Sequence, residues 1–121
     1  MKESKMVPDL KERMLQNLRT WNNDQRLSFI EFFAHELTIC IRLIWSRAET
    51  GNTEKIEQIK WINEILHRLP MFAHTLRTGS GDWESTDIPQ VVENCINQAP
   101  GLRELVTYAV IHSIEQITGR Y

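Results

Sequence analysis

The sequence predicts an all-α protein, a single-domain bundle of four to six helices spanning residues 1–121. Three observations carry that expectation. Apolar residues recur every three or four positions along most of the chain, no stretch alternates β-branched residues as a strand would, and Pro, Gly and Asn sit where the periodicity breaks. With 121 residues, 41% of them hydrophobic and 25% charged, the chain is long enough to bury a core without disulfide or metal staples.

The elements follow in order. Pro8 suits the first position of a helix over 9–21, in which Leu10, Met14, Leu18 and Trp21 recur at helical spacing. Asn22, Asn23 and Asp24 interrupt it, and Asp24 offers an N-cap for a long helix over 25–48. Gly51 and Asn52 make a turn, and Thr53 caps a third helix over 54–69 with Ile56, Ile59, Ile62, Leu66 and Leu69 on one face. Asn63 falls on that same core side. Pro70 lacks an N–H and clashes with the preceding turn, so it is expected to end or kink this helix, with a short helix over 71–78 beyond it. Residues 79–87 (GSGDWESTD) read as a flexible loop. Asp87 and Pro89 open a helix over 88–98, Pro100 opens another over 101–118, and Gly119 closes it.

The helix over 25–48 carries apolar residues on two faces. At 100° per residue, Ile30, Phe33, Ala34, Leu37, Ile41, Ile44, Trp45 and Ala48 share one broad face, while Phe29, Phe32, Ile39, Cys40 and Leu43 fall mostly on the other. A milder surplus appears on the third helix at Trp61 and Ile65. Either the long helix is central and enclosed by the chain's own helices, or Phe29, Phe32, Ile39, Leu43, Trp61 and Ile65 form an interface to a second chain, most simply in a homodimer.

Charge and cysteine usage narrow the class. The net charge is −2, with five Lys/Arg against three Asp/Glu in residues 1–20 and two against six in residues 81–121. That balance lacks the clustered basic face of a nucleic-acid binder. Cys40 and Cys95 stand far apart without metal-ligand or CxxC spacing, as buried free thiols of a reducing compartment do. No basic and apolar leader is visible at the start, and Glu31, His35, Glu36 and Arg42 interrupt the longest apolar-rich stretch, so a cytoplasmic protein without a membrane span is expected.

No nucleotide-binding glycine loop, nucleophile elbow or cofactor motif occurs, so no cofactor is expected. Glu64 and His67 form a Glu-x-x-His pair of the kind that binds metal in helical carboxylate sites. Glu31 with His35 and His112 with Glu115 could complete a cluster if three helices faced one another, although Glu64 projects away from its helix's apolar face. Arg68 and His74 stand in an Arg-x5-His spacing that resembles the signature of HEPN-type ribonucleases, small all-α dimers in which that arginine and histidine act on the RNA backbone. Here Leu69 follows the arginine where that family usually places a polar residue, and Pro70 interrupts the motif. The remaining texture, including the segment WINEILHRL, resembles small helical proteins of bacteria and their phages.

Trp83, flanked by Asp82 and Glu84, is the aromatic that no helical pattern explains, and tryptophan is enriched where binding energy concentrates. The residues thus favour a small non-enzymatic protein that acts by association with another protein, of antitoxin, immunity or regulatory-adaptor type. A HEPN-like ribonuclease using Arg68 and His74, or a metal-binding bundle using Glu64 and His67, is the alternative.

Overall fold

A computed structural model describes residues 10–79 and 84–119. It contains five α-helices: α1 Leu10–Thr20, α2 Asn23–Ser46, α3 Asn52–Thr78, α4 Asp87–Gln98 and α5 Arg103–Thr118. A 3₁₀ turn, Pro100–Leu102, joins α4 to α5, and no strand occurs among the described residues. The all-α bundle expected from the sequence is the observed fold. Trp83 and Asp82 of the predicted binding loop lie outside the described residues.

The α1–α2 corner is held by side chains that satisfy helix-end backbone groups. Asn22 accepts from the backbone N–H of Gln25 at 2.8 Å, and the Gln25 side chain accepts from the backbone N–H of Asn22 at 3.0 Å. This reciprocal capping box, worth about 1 kcal/mol, starts α2 two residues earlier than expected and makes Asn22, not Asp24, the N-cap. Arg26 then reaches back to the end of α1, donating from Nε to the Leu18 carbonyl at 2.8 Å.

α2 runs antiparallel to both α3 and α5 and packs mainly on them. At one end Asn23 donates from Nδ2 to the Leu76 carbonyl at 3.4 Å, and at the other Lys55 donates from Nζ to the Trp45 carbonyl at 3.2 Å. On the α5 side, the Cys40 thiol points at the Leu105 carbonyl at 3.8 Å and Glu36 meets His112. Helices α1 and α4 pack together and against α5 and α3, respectively.

The clearest departure from the sequence reading is α3. It starts at Asn52 behind a Gly51 cap position, so Thr53 is not the cap, and it runs unbroken through Pro70 to Thr78. The expected helices 54–69 and 71–78 are therefore one. Pro70 removes a backbone donor and costs about 3 kcal/mol in a helix interior. That cost is met because Ile62, Ile65 and Leu69 before it, and Ala73 and Leu76 after it, are all buried in the same core. The continuous helix also turns a different face inward. Ile65 is 1% exposed and Ile56 is 59% exposed, and Asn63, expected on the core side, is exposed.

All five helices contribute to one hydrophobic core. Its aromatic spine is Trp21, Phe29 and Phe33, with ring centroids 5.6 Å and 5.5 Å apart along the series. Two polar residues of α3 are buried, Lys55 against the Trp45 carbonyl and Gln58 where α3 passes the α4–α5 corner. There a Cβ on Gly101 would stand 2.6 Å from Gln58 Nε2, so a larger residue at 101 would have to displace the Gln58 amide.

Candidate functional site

The packing of α2 decides where a functional surface can lie. Phe29 and Cys40, read from the sequence as part of a second apolar stripe, are 1% and 3% exposed and belong to the chain's own core. Ile65 is likewise buried, so Phe29 and Ile65 are not interface residues. The stripe splits because Trp21 covers Phe29 and α5 covers Cys40, while its outer edge stays uncovered. What remains outside is a row along α2, one edge over from Glu36: Phe32 at 39% exposure, half-buried Ile39, and Leu43 at 45%. Trp61 packs partly against the core and donates from Nε1 to Glu57 at 3.0 Å, on a different helix and away from this row.

On the α5 side the row is continued by Tyr108, 61% exposed, whose ring stacks on His112 at 5.5 Å with a 13° interplanar angle. His112 Nδ1 lies 2.9 Å from Glu36 Oε2, and its Nε2 lies 3.5 Å from Gln116 Nε2. With Glu36 ionised, Nδ1–H donates to the carboxylate and Nε2 accepts from the Gln116 amide, which satisfies every polar atom of the ring. The pair therefore works as a pin between α2 and α5. Sequence reasoning joined His112 to Glu115 and missed Glu36, the partner lying 76 residues away, because the pairing depends on the antiparallel register of the two helices. Beside the pin, Asp24, Gln25, Ser28, Phe32, Gln116 and Ile117 line an open groove of about 280 Å³.

The candidate chemical groups are not assembled. Among the described residues no three His, Cys, Asp or Glu side chains stand close enough to hold a metal ion. Glu31, His35 and His67 are exposed, and Glu64 is tied to Arg68 by an ion pair at 3.1 Å. The two residues assigned to rival chemistries, metal binding and RNA cleavage, thus neutralise each other on one helix surface. Because α3 is continuous, Arg68 and His74 stand about 9 Å apart along its axis and about 120° around it. Glu115 is part-buried on α5, and the carboxylate that His112 meets is Glu36. Glu84 is exposed just ahead of α4, where its backbone N–H donates to Asp87 at 3.3 Å.

Both thiols are buried, and burial pushes Cys40 and Cys95 up from an ordinary 9.0 to about 11. Reaction with a thiol reagent at neutral pH should therefore be slow in the native protein and fast after unfolding. The same shifts set an alkaline limit. Below pH 9 both states keep these protons, but between about pH 9 and 11 the unfolded chain loses them first, so stability falls as pH rises through that window. Guanidine midpoints measured at pH 8 and 10.5 check the sign, and replacing both cysteines by Ala should flatten the difference.

No helix among the described residues is long and apolar enough to cross a membrane. Comparison with known protein families, with curated proteins and with solved structures returns no match to this chain.

Proposed function

We propose that the protein works by protein–protein association through the outer α2–α5 face, as an adaptor, antitoxin or immunity protein would, in the cytoplasm and without catalysis of its own. The observation that carries this is the row Phe32, Ile39 and Leu43 with Tyr108 beside it. These are large apolar side chains left outside on the most apolar stretch of the chain, in line along one edge of α2; Trp45, expected on the inner face, is also 50% exposed but lies beside Lys55 instead. Exposed apolar residues in isolation are ordinary, whereas a contiguous row on two adjacent helices marks an interface. The pin at Glu36–His112 supports the same reading, since it fixes the two helices that present the row.

Light scattering at micromolar concentration tests the reading. The wild-type chain should scatter as a species of about twice its 14.3 kDa mass. Phe32→Glu or Leu43→Glu should return it to the single-chain mass while the helical circular dichroism stays unchanged. A wild-type chain that remains at 14.3 kDa would remove the reading's support.

A further inference from the structure

The exposed charges of α2 are segregated along its length. Asp24 and Glu31 lie in its N-terminal half and Arg42 in its C-terminal half, while Arg26 is turned inward to the end of α1 and Glu36 to His112. The helix macrodipole favours acids in the first turn and bases in the last, but it acts only within those turns. Glu31 lies beyond the first turn, and the last turn of α2 holds no basic residue. Nor does either charge serve the fold. Among the described residues Glu31 and Arg42 are exposed and have no ion-pair partner.

The spacing is informative. Glu31 and Arg42 are eleven residues apart, and so are Phe32 and Leu43. Eleven residues rotate by about 20° and rise by about 16 Å along a helix, so each pair lies on one line of α2, and the two lines stand about 100° apart, at the two edges of its exposed face with His35 between them. Both pairs are centred near the level of residue 37. A two-fold axis passing beside α2 at that level, at right angles to it, sets the two ends of each pair against their opposites in a second copy.

Resting on the association reading, we propose that the occupant of this face is a second copy of the chain, docked with its α2 antiparallel to the first. Phe32 then packs on Leu43 of the partner subunit, and Arg42 meets Glu31 of the partner subunit, each contact made twice by symmetry. Tyr108 lies between the levels of the Cys40–Leu105 and Glu36–His112 contacts, which places it beside the axis.

Charge reversal tests the register. Arg42→Glu alone and Glu31→Arg alone each turn two attractions into two repulsions, and each should raise the dimer dissociation constant roughly tenfold at low salt. An equimolar mixture of the two variants should recover wild-type affinity, because the Arg42→Glu chain then faces the Glu31→Arg chain with both pairs restored. Sedimentation equilibrium reads all four samples, and both positions are exposed, so circular dichroism and thermal melting should match wild type. A dimer indifferent to both reversals, or a mixture that does not recover, overturns the antiparallel register while leaving association through this face intact. A wild-type monomer overturns both.

Discussion

Replacing Phe33 by Ala should cost about 3–5 kcal/mol, the loss expected when a fully buried aromatic leaves a cavity that its neighbours cannot fill. Phe33 is 0% exposed and stacks on Phe29, whose ring meets Trp21 at a tilt and so joins α2 to the close of α1. Its neighbours on the inner face of α2, Leu37 and Ile44, are also at 0% and belong to a core drawing on all five helices. Against a total stability of about 5–15 kcal/mol for a domain, the loss would leave a marginal fold. Urea denaturation followed by circular dichroism checks it. A loss below about 1 kcal/mol would show that α2 is not the packed centre of the bundle.

Pro70→Ala should act in the opposite direction, raising stability by about 1–2 kcal/mol. Alanine restores the N–H that α3 lacks at 70 and removes the ring's clash with the turn before it, worth up to about 3 kcal/mol. Part of the gain is offset because proline also restricts the unfolded chain. Pro70 is exposed, so its removal opens no cavity. A higher melting temperature with unchanged helical content is the expected result. A lower one would mean that a bend at 70 is what seats Ala73 and Leu76 in the core.

The same proline explains where the sequence was read correctly and where it was not. Helix positions follow from periodicity and local capping chemistry, and α1, α2, α4 and α5 lie within two residues of expectation. Pro70 has a strong local penalty, so α3 was divided, and the division hid the true inward seam. Without residues 71–78, Ile56, Ile59, Ile62, Leu66 and Leu69 look like the core face. With them, the row Ile62, Ile65, Leu69, Ala73 and Leu76 is the longer one, and it wins because burial on both sides of the proline outweighs one missing hydrogen bond.

Of the candidate site, Phe32, Ile39 and Leu43 were legible as surplus apolar surface, since surplus is a property of one helix. Phe29 and Cys40 were not separable from them, because which edge of the stripe is covered depends on how Trp21 turns back at the α1–α2 corner and on α5, a helix more than fifty residues later. The Glu36–His112 pin was invisible for the same reason.

That division between near and far neighbours also bears on how the molecule assembles. The α2–α3 hairpin closes through residues 47–51 alone, a short loop with little entropy to overcome, whereas α5 must return to α2 through everything from 47 to 102. Local contacts form fast and distant ones set the rate. Closure of α5 onto α2 is then the slow event, and the outer row of α2 acquires its setting only when that event is complete. A chain still emerging from synthesis presents Cys40 and Leu43 alike, and only a finished one sorts the first inward against Leu105 and leaves the second outside.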